Sequence, residues 1–418
     1  MVNGKRAVER CDFLGIAPYS DTEDGLYRGY LTPAYAASQR VIARWMTEAG
    51  MTTRIDAAGN LVGRYEGAGS RPALIIGSHL DSVRDAGRYD GPLGIMLGIE
   101  CVAVLSAMQE RLSFPIEIYA FGDEEGSRFP LAMLTSRAVA GVLECDIEEP
   151  VDSAGASLSD ALASYGLETQ APVAADVPGL QAARHPGALA YLEAHIEQGP
   201  VLESEGLALG NVTGIAAQRR FSAFVSGRAG HAGTTAMMLR RDAFAAAAAM
   251  VLAAEECARA EDADRVATVG SIIVGPGAAN VVPGAARFTL DVRAATDEAC
   301  AALADAILAK FGAIAAERSV TLSVDALHHL PASPSDSRLL ELMDAAIADE
   351  GLPARRLVSG AGHDAMILSA LCPTAMLFIR CREGISHNPA ESVTAEDCTL
   401  AGRVMLRFIK LLEDFHGA

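Results

Sequence analysis

The sequence predicts an α/β protein: a mostly parallel sheet with covering helices over residues 1–212 and 330–418, interrupted by a ferredoxin-like βαββαβ unit at 213–329. Three observations carry this reading. Short, wholly apolar runs alternate with helical stretches, as in sheets whose strands are buried on both faces. Each run lies next to a polar cluster, and in open α/β sheets the strand carboxyl ends carry such chemistry. The middle of the chain instead reads strand, helix, strand, strand, helix, strand. A length of 418 residues suits two or three domains.

Taken in order, residues 34–49 place Val41, Ile42, Trp45 and Met46 at helical spacing in an Ala-rich stretch. The run 73–76 leads into Gly77-Ser78-His79-Leu80-Asp81, and 115–121 into Gly122-Asp123-Glu124-Glu125-Gly126. Between them, 94–109 is long and apolar enough for a helix. The last strand, 373–379, precedes Gly384-Ile385-Ser386-His387. The inserted unit comprises strand 220–226, helix 241–260, strands 265–274 and 286–293, helix 296–316 and strand 320–327. It ends before the Pro/Ser break at 330–334, and His328 and His329 fall in the return linker as structural residues.

Half of the residues are apolar and 21% are charged, which suits a buried core and opposes disorder. With 34 Lys+Arg against 53 Asp+Glu, the net charge of −19 opposes nucleic acid or an anionic membrane surface as partner. The longest wholly apolar stretch, 243–254, is far short of the ~20 residues that span a bilayer. The N-terminus carries charges where an export signal has its apolar core. The eight cysteines are scattered without a CxxC motif, as expected for reduced, packed thiols. A cytoplasmic protein is the expectation.

The densest polar cluster is His79-Leu80-Asp81 followed by Arg88-Tyr89-Asp90-Gly91. Imidazole and carboxylate at a strand end can ligate a divalent first-row metal, although such a pair alone is more often a hydrogen-bonded structural pair. Glu124 and Glu125 would repel each other on a solvated loop; buried beside a cation, one can ligate while the other stays free as general base. His195-Ile196-Glu197-Gln198 and His387-Asn388-Pro389 lie by two further apolar segments. Together these place His79, Asp90, Glu125, His195 and His387 near one edge of one predicted sheet. The count fits two metals sharing a carboxylate. A shared carboxylate holds two ions ~3.5–4 Å apart, with a water between them ionised near neutral pH. Spacing alone does not choose the shared residue, but Asp90 is the natural bridge, leaving Asp81 to orient His79. In the inserted unit, a Gly-rich turn presents His231, while Asn280 and the strand-end Arg293 stand near further turns. A strand-end Arg is most often a surface charge; on so acidic a protein, Arg219, Arg220 and Arg293 could instead clamp an anionic substrate.

With these residues assembled, the sequence resembles the hydantoinase/carbamoylase-type amidases of the M20 metallopeptidase family. The resemblance runs nearly end to end: GSHLDSV at 77–83, GRYDGPLGI at 87–95, FGDEEGSRF at 121–129, HIEQGPVLE at 195–203, GHAGTT at 230–235, FTLDVR at 288–293, GAGHD at 360–364 and SHNPAE at 386–391. It departs at Ala86, where a second Gly is common, and at Ala236, where Pro usually follows the Thr pair. The resemblance implies that His79, Asp90 and His195 hold one divalent ion and that Asp90, Glu125 and His387 hold a second. Zinc is the first choice, with manganese, cobalt or nickel as alternatives. Glu124 would be the general base, and His231 would polarise the scissile carbonyl. Gln198, Arg220, Asn280 and Arg293 would contact substrate, with Arg293 on its carboxylate. The inserted unit would be the lid, hinged near 213 and 329, and the homodimer surface. The implied reaction is hydrolysis of the ureido C–N bond of an N-carbamoyl-L-amino acid, or of allantoate. Hydrolysis of an N-acyl amino acid or dipeptide ranks below these, and a non-catalytic binding protein on the same fold lower still, because no ligand or base is missing.

Overall fold

A computed structural model describes residues 1–144, 148–259 and 264–417. Cys145 and Ala260, at the end of one expected helix, lie outside them. The chain forms two compact units, Met1–Thr213 with Ser335–Ala418, and Gly214–Pro334.

In the first unit the strands follow the order Thr52–Ile55, Leu61–Tyr65, Ile116–Phe121, Ala73–His79, Ala188–Ile196, Thr374–Ile379, Leu209–Ile215. Ile116–Phe121, Ala73–His79, Ala188–Ile196 and Thr374–Ile379 are mutually parallel. The flanking pairs are antiparallel. The sheet is therefore mixed, and the expectation of a mostly parallel sheet is corrected. An apolar run reports burial on two faces, not direction, and the flanking strands lacked that signal. Thr52–Ile55 is an edge strand with its side chains largely exposed. It joins Leu61–Tyr65 through a tight turn in which the Asp56 carboxylate accepts from the amides of Ala58 and Asn60, so the pair must run antiparallel.

The four parallel strands matter most for the site, because their carboxyl ends all face one edge. Helix Pro92–Ala107 packs on them almost wholly buried, with Pro at its first turn. Its one fully buried acid, Glu100, is satisfied by a bidentate contact from Arg6 at 2.7 and 2.6 Å and by Arg10 at 3.2 Å, which ties helix Gly4–Leu14 to the core. Helix Pro33–Glu48 starts where Thr32 caps the Tyr35 amide.

The second unit is antiparallel throughout, in the order Ile272–Gly275, Ala285–Ala294, Ala217–Ser226, Thr321–Leu330, with Arg265–Thr268 also on Ala285–Ala294. In chain order this is the 4-1-3-2 sheet of a βαββαβ fold, its second strand broken at 269–271. Helices Ala243–Arg259 and Asp297–Glu317 cover one face through Ala246, Met250, Leu303, Ile307 and Phe311. Among the described residues, Asp297–Glu317 alone is long and apolar enough to cross a membrane; its buried stripe packs in this core. His328 and His329 pair with Arg220 and Arg219 inside the last strand instead of lying in a linker, because that strand continues to Leu330.

Candidate metal centre

His79 closes its strand and is 2% exposed. Its Nδ1 lies 3.0 Å from the Asp81 carbonyl oxygen, and the Nδ1 of His195 lies 2.9 Å from the Ile196 carbonyl oxygen. A carbonyl only accepts, so both rings carry a proton on Nδ1 and turn Nε2 inward, the atom that would ligate a cation once its own proton is released. Those Nε2 atoms lie 3.6 and 3.1 Å from Asp90 Oδ1. On the other side of the same carboxylate, His387 Nε2 lies 3.4 Å from Asp90 Oδ2 and 3.4 Å from Glu125 Oε1.

The donor atoms fall into three clusters, each within 4.8 Å: His79 with Asp90 and His195; Asp90 with Glu125 and His387; and His79 with Glu124 and Glu125. The structure thus brings His79, Asp90, Glu125, His195 and His387 together with Glu124, and Asp90 belongs to two clusters. Neutral imidazoles and carboxylates in this arrangement fit divalent cations of the zinc and manganese type.

The electrostatics match. Burial acts to raise Asp90, yet hydrogen bonds from His195 and His79 and their charge hold it well below the usual carboxylate range. Burial and neighbouring carboxylates push Glu124 well up, and burial, opposed in part by His79, carries Glu125 to about 8. His79 is raised well above its ordinary value: burial opposes this, but Asp90 and the surrounding carboxylates prevail. So much negative charge in one buried cage is what a dication neutralises, and one bound there would return these carboxyls to their ionised form.

Asp81 orients His79 as expected, but its carboxylate has a second task. It orients His79 through its backbone carbonyl, whereas its carboxylate accepts from the amides of Glu124 at 3.1 Å and Glu125 at 3.3 Å, fixing the loop that carries both. Gln198, expected at the substrate, here donates to Asp90 Oδ2 at 2.9 Å. His363 packs edge-on against His195, ring centres 4.4 Å apart, and its Nε2 meets Ser359 Oγ at 2.9 Å. Glu193, fully buried, receives hydrogen bonds from Ser78, Tyr191 and the Ala365 amide. Neither residue's role had a sequence signal beyond its place beside a motif.

Gly91 joins Asp90 to the helix at φ +85°, a region that favours glycine. A Cβ there would lie 2.5 Å from the His79 carbonyl oxygen and 2.6 Å from its ring. Gly91→Ala should therefore displace His79, lowering both the melting temperature and the cation content; a variant with parental values for both would refute this packing role.

The other expected residues lie in the second unit, in two groups. His231 pairs with Val281 in a two-stranded ribbon, and the Ala232 amide donates to the Asn280 carbonyl at 2.9 Å, so His231 and Asn280 are neighbours. Arg220 and Arg293 share Asp291: Arg220 Nε donates to Oδ2 at 2.7 Å and Arg293 Nε to Oδ1 at 2.8 Å. Burial opposes it, but these guanidinium contacts hold Asp291 below its usual range. The two arginines are thus oriented by a carboxylate of their own sheet.

Fold and cage together fit the class of metal-dependent hydrolases. A model described as Peptidase family M20/M25/M40 matches residues 75–411, and the chain belongs to this family. An N-carbamoyl-L-amino acid amidohydrolase of Geobacillus stearothermophilus is 40% identical over 407 residues, with 97% of each chain covered. An allantoate deiminase of Arabidopsis thaliana is 38% identical over 437 residues, covering 97% of this chain and 81% of its own. The crystal structure of a hydantoinase/carbamoylase family amidase from Burkholderia multivorans superposes with a TM-score of 0.90 at 32% identity, with 98% of both chains covered.

Proposed function

We propose that the protein hydrolyses the ureido C–N bond of N-carbamoyl-L-amino acids. The observation that carries this reading is the Asp90 carboxylate shared between two donor clusters, with Glu124 beside them. Two divalent cations, zinc by first choice, would be held by His79, Asp90 and His195 and by Asp90, Glu125 and His387, supplying Lewis acidity and a water ionised near neutral pH. Glu124 takes the proton of the attacking water and returns it to the leaving nitrogen. Its loop is pinned for this work by Asp81. His231 donates to the oxygen on which charge develops. Arg293 binds the substrate carboxylate as a bidentate cation, and Arg220, Asn280 and Gln198 complete the polar contacts. An N-carbamoyl substrate would leave as amino acid, ammonia and carbon dioxide.

Allantoate is the second reading, favoured by the Arabidopsis relative at nearly the same identity. It presents the same carboxylate and ureido groups. Ammonia release from N-carbamoyl-L-amino acids, allantoate and N-acyl amino acids decides between them. Chelation should abolish the activity and added zinc, manganese, cobalt or nickel restore it; turnover that survives full chelation would overturn the reading.

The inserted unit would serve as lid and as homodimer surface. Leu252 at 66% and Ile273 at 68% exposure, with Val266 and Ile272, leave apolar area on it that supports association. Sedimentation velocity should give a dimer. The seven described cysteines are free and buried, which supports a reducing, cytoplasmic setting.

A further inference from the structure

We propose that Glu391 is a positioning residue for the cage: it fixes the loop presenting Asp90, ties it to the segment presenting His387, and so sets the affinity for the cation held by Asp90, Glu125 and His387. The proposal rests on reading the cage as a two-cation site.

Glu391 is 5% exposed, and a carboxylate so buried needs hydrogen-bonding partners. Its Oε1 accepts from the amides of Tyr89 at 2.8 Å and Asp90 at 3.1 Å, residues 302 and 301 positions away in the chain. Its Oε2 lies 3.3 Å from Ser386 Oγ. The Ser386 hydroxyl has one proton and gives it to Asp90 Oδ2, at 2.5 Å the shorter contact. Gln198 Nε2 bridges the same two groups, 2.9 Å from Asp90 Oδ2 and 3.2 Å from Ser386 Oγ. The shared carboxylate is thus held from its backbone side by Glu391 and from its side chain by Ser386 and Gln198.

The consequence should fall unequally on the two donor clusters. His79 and His195 lie on buried strands and have their tautomers fixed by backbone carbonyls. His387 has neither advantage: its side chain is 49% exposed and its backbone sits at φ +53°, a conformation that non-glycine residues hold only when neighbours enforce it. The bond from Ser386 to Asp90 and those from the Tyr89 and Asp90 amides to Glu391 lie on either side of it in the chain.

Gly87 supplies an independent handle. A Cβ on Gly87 would lie 2.1 Å from the Glu391 carboxyl carbon. The group it would strike is the end of a flexible side chain, so Gly87→Ala should expel the carboxylate from its seat while leaving the fold in place.

The test is cation binding, not turnover. Parent, Glu391→Ala, Glu391→Gln and Gly87→Ala proteins are stripped with chelator and titrated with cobalt(II) by visible absorption and with zinc by calorimetry. Circular dichroism confirms the fold. The parent should bind two ions. Glu391→Ala and Gly87→Ala should keep the first affinity and weaken the second by about 10- to 100-fold, the usual loss when an outer-shell partner of a metal ligand is removed. Glu391→Gln keeps an oxygen for both amides and should stay close to the parent. If Glu391→Ala fails to fold, Gly87→Ala and Glu391→Gln decide. Parental affinity for both ions in Gly87→Ala and Glu391→Ala, with only the melting temperature lowered, would make Glu391 merely structural and overturn the proposal. A parent binding fewer than two ions would overturn the two-cation reading itself.

Discussion

Glu124→Gln should lower turnover by roughly 100- to 10,000-fold, the range a positioned general base contributes, and leave the cation content unchanged. The substitution is nearly isosteric, and the backbone of residue 124 is held on both sides. Its amide donates to Asp81 and its carbonyl accepts from the Met133 amide at 3.0 Å. The substituted carboxamide would therefore occupy the same place without the capacity to take a proton. Steady-state ammonia release and elemental analysis of the same preparation check both halves. Near-parental turnover with full cation content would remove Glu124 from the mechanism; loss of the cations would make it a ligand instead.

The second large effect is expected from Asp90→Ala. This change removes the one carboxylate common to the cluster with His195 and the cluster with His387, and leaves His79, His195, His387, Gln198 and Ser386 facing a gap. Loss of a direct ligand should exceed the about 100-fold upper end for outer-shell partners, so ion content after gel filtration should fall below two and activity to background. Glu125→Ala is the control, because it touches the cluster with His387 and spares the one with His195. Equal ion content in parent and Asp90→Ala would refute the shared-carboxylate arrangement.

Much of this geometry was legible in the sequence, for a physical reason. His79, Glu125 and His387 follow or close apolar runs, and parallel strands send such positions to one edge, so separate motifs converge without a contact being known. The direction of the flanking strands was not legible, because an exposed edge such as Thr52–Ile55 has no apolar run to announce it. Nor were roles played through the backbone. Asp81 orients His79 by its carbonyl, a group every residue carries, and Glu391 serves two amides some 300 residues away. Arg220 and Arg293 read in the sequence as surface charges or substrate clamps, but the register that sets Asp291 opposite Arg220 appears only once the strands pair.

The order of the donors along the chain has a consequence for biogenesis. His79, Asp90 and His195 all precede the unit Gly214–Pro334, and His387 follows it. During synthesis, the first triad is made before any of the inserted unit. The second waits until nearly the whole polypeptide has emerged. Strand Thr374–Ile379 must also dock beside Ala188–Ile196 before His387 reaches its place. A nascent or C-terminally truncated chain would thus present His79, Asp90 and His195 without His387.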